Sequence, residues 1–267
     1  MNINQTVATM LKQRVADEKP LDSIDELNNV LRLMAKWRSA IIANTYFQHH
    51  GQTILQGPFQ GMTYVKEATE GALIPRLLGT YECELHADIA AFATQGLDCV
   101  IDVGCAEGYY AVGLARMMPG VTVHAYDIDP RARAACAQLS AVNGVSDRVK
   151  IGGEFAPDGF QAFADQRCLV MVDTEGAELD ILQPDKSPAL ARMSIIVETH
   201  DVYRPGALAG LMARFSPTHD IVRIDQQGKT MPLPAWLSGL GHLDHLLAVW
   251  EWRTAPTPWL VMRPKAA

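Results

Sequence analysis

Two groups of residues in this chain have the types and spacing for chemistry. The first lies in Cys99-Val100-Ile101-Asp102-Val103-Gly104-Cys105-Ala106-Glu107-Gly108-Tyr109-Tyr110. An apolar run ends in an acid, a glycine turn follows, and an amphipathic stretch begins. That is the pattern of a buried strand, a tight turn and a helix start. Such a turn sets backbone N–H groups and a carboxylate against a small polar ligand at the carboxyl edge of a parallel sheet. Asp127 closes the next apolar run (VTVHAYD), at the separation of about 20 residues where an acid meets ribose hydroxyls.

The second group follows two later apolar runs. Asp173 and Glu175 come after CLVMV, and Glu198, His200 and Asp201 come at the end of MSIIVE and just beyond it. Two neighbouring parallel strands would deliver all five to one sheet edge. Two chemistries fit. His200 or Glu198 acts as general base, or Asp173, Glu198, His200 and Asp201 supply ligands for Mg²⁺ or Mn²⁺. Asp173 serves in either case. Glu175 reads as an acid at a helix N-terminus, and Glu178 as a residue on a solvated helix face or in a local helix contact. His242 and His245, one helical turn apart, are a weaker ligand pair, and a polar loop or lid is the preferred reading there.

The first group must discriminate between a dinucleotide and S-adenosylmethionine. A dinucleotide turn carries G-x-G-x-x-G, so that a pyrophosphate rests on the helix N-terminus. Here the glycines are Gly104 and Gly108, with Ala106 between them and Glu107 at the helix start. A carboxylate there opposes a diphosphate. S-adenosylmethionine has no phosphate, and its sulfonium and ammonium suit acids such as Asp102 and Glu107.

The elements that position these residues alternate. Strands are expected at 99–104, 121–127, 148–152, 168–173, 193–199 and 220–225, with a last one over Trp259-Leu260-Val261-Met262. Helices are expected at 107–118, 130–142, near 159–165, 176–183 and 206–215. The alternation predicts an α/β fold, a mostly parallel seven-stranded sheet with helices on both faces. Residues 1 to about 48 read as helical, with a capping box at Ser23 and Glu26. Ile24, Leu27, Leu31, Met34 and Ile41 form a stripe that should be buried against the main domain or a second subunit. Residues 50–66 read as an irregular arm, and Glu82 to Phe92 as a helix feeding the first core strand. The expected organisation is a helical extension with its arm over 1–77 and an α/β domain over 78–267.

Composition narrows the class. Hydrophobic residues make up 48% and charged residues 20% of the 267, so the chain reads as globular. A net charge of −7 without a basic run disfavours a nucleic-acid partner held through phosphates. Five cysteines without a CxxC pair argue for reduced, buried thiols. The first twenty residues hold no apolar signal core, and no apolar run is long enough to span a bilayer. The expectation is a cytoplasmic enzyme with no membrane partner.

The segments DVGCAEGYYAVGLA, HAYDIDP, VMVDTEGAELDIL and IIVETHD together resemble the FkbM-type class I S-adenosylmethionine-dependent methyltransferases over roughly residues 78–225. Asp173-Thr174-Glu175-Gly176-Ala177-Glu178 matches that family's D-x-x-G-x-E segment. The resemblance implies a Rossmann-like fold and S-adenosylmethionine as methyl donor. It implies that Asp102, Gly104, Ala106 and Gly108 form the donor loop and that Asp127, with Ile128 beside it, holds the ribose. It also implies that Glu154 with Phe155 faces the adenine, and that Tyr81 and Glu82 close over the donor. The family usually has Glu where this chain has Asp127. Tyr109 or Tyr110 is expected at the methionine part of the donor. The acceptor expected from the resemblance is a small-molecule or sugar hydroxyl, in secondary metabolism or glycan decoration. The alternatives are a metal-dependent O-methyltransferase on the same fold, an NAD-dependent oxidoreductase and a non-catalytic donor-binding protein. The N-terminal helices make a homodimer the expected assembly.

Overall fold

Each apolar run between turn signals forms a strand, and each amphipathic stretch returns the chain over the sheet. The computed structural model describes residues 2–16, 23–66 and 71–266. Helices α1 (Ile3–Ala16) and α2 (Ile24–His50) come first, then α3 (Leu73–Leu78) and α4 (His86–Ala93). The α/β part runs β1 (Cys99–Val103), α5 (Tyr109–Met117), β2 (Thr122–Tyr126), α6 (Pro130–Val142), β3 (Val149–Gly152), β4 (Cys168–Val172), α7 (Glu178–Ile181), β5 (Ser194–Glu198) and α8 (Ala207–Phe215). It closes with β6 (His219–Ile224), α9 (Ala235–Ser238), α10 (His242–Ala248) and β7 (Trp259–Pro264).

The strand order is β3-β2-β1-β4-β5-β7-β6. The first five strands are parallel, and β7 enters antiparallel between β5 and β6. This mixed, mostly parallel seven-stranded sheet flanked by helices is the Rossmann-like class I methyltransferase fold. Strands β1 and β4 are buried along their whole length, which explains their unbroken apolar runs. Successive strands are added on one side of β1 up to β3 and on its other side from β4 onward, so the ends of β1, β2 and β4 open a crevice at that switch point. Asp102 sits opposite Ala125 of β2 and Met171 of β4, one residue short of that edge.

The expected helix over the first 48 residues is two helices, with residues 17–22 outside the described residues. Ser23 caps α2 by accepting the Glu26 N–H, as the capping box predicts. The stripe is not buried along its length. Ile24, Leu27 and Leu31 are exposed, and α2 buries Ser39, Ile42, Ala43 and Tyr46 nearer its C-terminus. The cause is reach: α2 is 27 residues long, and only its second half lies over the core. Helix α1 buries no residue and joins α2 through a Trp37–Asn4 hydrogen bond and an Arg14–Glu26 ion pair.

The arm over 50–66 forms a small hairpin with a bridge between Thr53 and Thr63. It buries Ile54, Phe59, Met62 and Tyr64 in the same apolar cluster as Val112, Leu114 and Val123, and each such side chain contributes about 1.5–3 kcal/mol. The helix expected from Glu82 begins as a 3₁₀ turn over Cys83–Leu85 before α4. The one expected over 176–183 is shorter, Glu178–Ile181. Helix α6 starts at Pro130 as expected, with Asp129 as its cap. Among the described residues no helix is long and apolar enough to cross a membrane.

Candidate active site

The loop after β1 is set by two glycines. Gly104 leaves β1 at φ +86, and a methyl group on it would lie 1.7 Å from the Asp173 carbonyl oxygen. Gly108 precedes α5 at φ +95, where a methyl group would lie 2.7 Å from Cys136 Sγ. Between them Ala106 adopts φ +46, a conformation that costs a non-glycine residue free energy. Its N–H donates to Asp127 Oδ2 at 2.9 Å, and the Asp129 N–H donates to Asp127 Oδ1 at 2.8 Å. Asp127 therefore ties the loop to the end of β2, and each oxygen retains a lone pair for a hydroxyl.

Asp102 is buried, and its Oδ2 has no hydrogen-bond partner. Burial first, and then the charges of Asp173 and Asp127, push its carboxyl up to about 7. Glu107 behaves differently from the bare acid expected at the helix start. It is buried, accepts the Tyr64 O–H and lies 3.4 Å from the Arg76 guanidinium. Its charge is balanced inside the protein, so Glu107 does not present the bare acid that was expected to oppose a diphosphate at the helix start.

Three cavities meet at Asp173. One, about 470 Å³, is lined by Asp127, Ile128, Glu154, Phe155, Thr174 and Ile181 among others. It brings together most of the residues expected around a nucleoside. Ile128 is 80% exposed, an apolar surface that a flat ring would cover. A second space of about 30 Å³ is lined by Asp102, Gly104, Ala106, Tyr109, Tyr110 and Trp259, with Arg76 and Tyr81. Both tyrosines after the glycine turn border it. A third, about 210 Å³, lies beyond Asp173 and is lined by Glu175, Glu198, His200, Tyr203, Trp252 and Arg253 among others.

His200 organises the third cavity. It is 3% exposed, and its Nδ1–H donates to Glu178 Oε1 at 2.8 Å. Its Nε2 faces Asp173 Oδ1 at 3.7 Å, Glu175 Oε2 at 3.5 Å and Glu198 Oε2 at 3.6 Å. Burial lowers the His200 pKa, but the Glu178 hydrogen bond and the surrounding carboxylates raise it more, so it lies above its ordinary value. Burial pushes Asp173 up to about 7 against the opposing pull of His200. Burial also opposes the Glu178 charge, yet the His200 and Gly176 hydrogen bonds hold this carboxyl below its ordinary range.

The far wall is a buried ionic network. Arg253 donates to Glu82, Glu198, Glu251 and Thr257. Lys229 pairs with Glu84 at 2.6 Å and Glu251 at 2.7 Å. Glu82, expected to close over the donor, is instead engaged by Arg253 and by the Tyr110 O–H. Tyr81 borders the narrow space at Asp102, with the Arg76 guanidinium 4.3 Å over its ring. Among the described residues, the non-glycine residues with positive φ are Glu82, Ala106, Glu175 and Trp252. All four belong to these cavity walls or to the network behind them.

Other expectations are corrected. Asp201 does not join the cluster, because its carboxylate accepts the Gly206 and Leu208 N–H groups at the start of α8. Glu178 is fully buried beneath His200 instead of lying on a solvated face. Its signal was already present as the final acid of D-x-x-G-x-E, where a four-residue helix turns it back under the loop. Arg76 and Arg253 carried no motif and were missed, since only the fold brings them to the site. His242 and His245 lie on α10 and not in the polar loop expected there. His245 bonds the Leu237 carbonyl, and Asp244 between them pairs with Arg38 of α2. Trp236 stacks on His49 of α2, whereas Trp252 and Trp259 line cavities.

No protein-family model matches the chain, and no curated protein matches it. Among solved structures it is similar to an O-methyltransferase from Bacillus cereus in complex with SAH, at 12% identity and TM-score 0.45, covering 66% of this chain and 78% of that one. It is similar to a human methyltransferase 10 domain containing protein at 12% identity and TM-score 0.48, covering 86% and 97%. A further likeness is to an rRNA methylase from Streptococcus thermophilus at 10% identity and TM-score 0.43, covering 68% and 97%. The fold assignment rests on the strand order itself.

Proposed function

We propose that this chain is an S-adenosylmethionine-dependent methyltransferase acting on a hydroxyl of a small polar acceptor. The observation that carries the reading is Asp173, which borders the nucleoside-sized cavity, the narrow space at Asp102 and the cavity of His200 at once. A donor spanning the first two would present its sulfonium methyl to the third. The unpartnered Asp102 Oδ2 suits the donor's ammonium, Asp127 its ribose, and Glu154, Phe155 and Ile128 its adenine. The acceptor oxygen attacks the methyl carbon, the carbon–sulfur bond breaks, and S-adenosylhomocysteine leaves. Alignment supplies most of the acceleration. The hydroxyl proton passes to His200 Nε2, and Glu178 offsets the positive charge that forms on the imidazole; in the alternative reading Asp173, Glu198 and His200 would hold Mg²⁺ or Mn²⁺, which would lower the acceptor's pKa.

The net charge of −7 without a basic run supports a small-molecule acceptor over nucleic acid. The D-x-x-G-x-E segment and its buried Glu178 support an FkbM-type enzyme, with methylation in secondary metabolism or glycan decoration. Residues 78–267 are the catalytic domain in this reading and 1–77 its extension. The exposed Ile24, Leu27 and Leu31 support a homodimer through the N-terminal helices, and five free cysteines suit the cytoplasm.

Thermal-shift and calorimetric titration with S-adenosylhomocysteine and with NAD test the donor. The expected result is stabilisation by the first alone. Tight NAD binding with indifference to S-adenosylhomocysteine would replace the proposal with an oxidoreductase. An Asp173→Ala variant that binds S-adenosylhomocysteine but loses methyl transfer separates the enzyme from a non-catalytic donor-binding protein.

A further inference from the structure

We propose that Cys99 and Cys168 are a reversible disulfide site, which a hydroperoxide closes to staple β1 to β4. The site depends on the sheet alone and not on the methyltransferase reading.

Cys99 opens β1 and Cys168 opens β4, and the two are direct partners in the parallel register. Partnered residues project their side chains from the same face of a sheet. Neighbouring strands run about 4.8 Å apart, within the roughly 4.4–6.8 Å between Cα atoms that a disulfide spans. The two side chains are already turned toward each other, with the Sγ atoms 2.7 Å apart. Closing the bond therefore asks for side-chain rotation and not for a shift of the strands.

The surroundings favour this use over a metal. Among the described residues no third His, Cys, Asp or Glu joins the pair in a metal-holding group, so a thiolate zinc site lacks ligands. The neighbours Phe160, Phe163 and Met193 are apolar. Cys99 is 1% exposed and Cys168 2%, but each lies one residue inside the sheet edge. Asp98 and Arg167 precede them and form an exposed ion pair at 3.3 Å. Fraying of that outer pair opens the sulfurs to a small oxidant. The contact with Cys168 holds the Cys99 thiol below its ordinary value, against burial and the Asp98 charge, which makes Cys99 the nucleophile. Cys105 differs, because hydrogen bonding to Cys136 and then burial push its thiol up.

The chemistry is a two-electron oxidation. The Cys99 thiolate attacks one peroxide oxygen, the O–O bond breaks, and a sulfenic acid forms on Cys99. The Cys168 sulfur then attacks the Cys99 sulfur, the S–O bond breaks, and water leaves with the Cys168 proton. The two sulfurs give up two electrons and the peroxide takes them. The bond closes a loop between positions 69 apart, which contains α5, β2, α6 and β3. That half of the sheet carries Asp127 and Glu154. Cross-linking it restricts the unfolded chain and so favours the folded one.

The test exposes the full-length chain to hydrogen peroxide, quenches it in acid, alkylates the remaining thiols under denaturing conditions and maps linked peptides by mass spectrometry. One linked pair, Cys99 with Cys168, is expected, and dithiothreitol should remove it. The melting midpoint of the oxidised chain should lie roughly 5–10 °C above that of the reduced chain. Cys83→Ser should keep both the bond and the rise, whereas Cys99→Ser and Cys168→Ser should lose both. Should those two variants not fold, the mapping on the unaltered chain and on Cys83→Ser decides. Free thiols at both positions after treatment, oxidation of Cys99 that stops at the sulfinic acid, or a linked pair through Cys105 and Cys136 overturns the site. A bond that forms without raising the midpoint overturns its role as a staple.

Discussion

The two sides of Asp173 are built in opposite ways. The proposed donor side is a larger space, about 470 Å³, drawn from consecutive strand–loop–helix units and walled by Ile128, Phe155 and Ile181 together with Asp127 and Glu154. The acceptor side is smaller, about 210 Å³, and draws on residues as distant in sequence as Lys36, Arg76, His200 and Arg253. Its charges are held by ion pairs across the fold, such as Arg253 with Glu82 and Glu198. A pocket made from one local turn can be kept across many acceptors, while a pocket assembled from scattered segments can change chemistry without disturbing the donor.

The largest expected effect is on the donor side. Gly104→Ala drives a methyl group into the Asp173 carbonyl at a left-handed position. It should abolish S-adenosylhomocysteine binding and cost about 3 kcal/mol or more of stability, read by calorimetry and thermal melting. If donor binding survives intact, the two sides do not meet at Asp173 as described.

Glu178→Gln comes next and should sharpen the contrast. It removes the charge beneath His200, so turnover should fall roughly 10–100-fold while S-adenosylhomocysteine affinity holds. A parallel loss of both would make Glu178 a structural support of the whole crevice. Asp102→Asn works on the other side and should weaken S-adenosylhomocysteine by about tenfold.

The pH dependence of that affinity follows from Asp102. Its carboxyl is raised to about 7 in the folded protein, so below pH 7 it holds a proton that a cationic ammonium must displace. S-adenosylhomocysteine should bind more tightly as pH rises from 6 to 8, and Asp102→Asn should flatten that slope. For stability the sign is reversed. A carboxyl raised on folding favours the native state below its unfolded value near 4, and this contribution is lost as pH climbs toward 7.

The smallest expected effect lies outside both pockets. Leu27→Ser on the exposed stretch of α2 should change unfolding free energy by no more than about 0.5 kcal/mol. It should shift sedimentation toward the monomer if this surface pairs two copies. An unchanged sedimentation profile would remove the dimer and leave both pockets as they are.

The same asymmetry explains what could be read in advance. The strand–turn–helix at Asp102–Gly108 and the acid at Asp127 are local, and periodicity with turn chemistry specifies them almost residue by residue. So does Pro130 at the start of α6. The acids after β4 and β5 were legible as neighbours, because adjacent parallel strands end at one edge. Their division of labour was not. Asp201 and Glu178 each sit a few residues from the cluster, and only backbone path decides that one bonds N–H groups of α8 while the other supports the imidazole. The Arg76–Glu107 and Arg253–Glu82 pairs join residues 31 and 171 positions apart, beyond the reach of any local pattern. For the outer turns of α2 the apolar stripe was legible but not what covers it, because a stripe records a preference for burial and this chain itself covers only the second half of the helix.

The unusual backbone at Glu82, Ala106, Glu175 and Trp252 bears on how this protein would respond to selection for heat tolerance. Glycine at any of these positions relaxes an awkward torsion, so a laboratory screen for resistance to heating should enrich such replacements early. Each would loosen a wall of the crevice. Hardier variants of this chain should therefore be poorer at gripping their ligands, with durability and performance drawing on the same handful of residues.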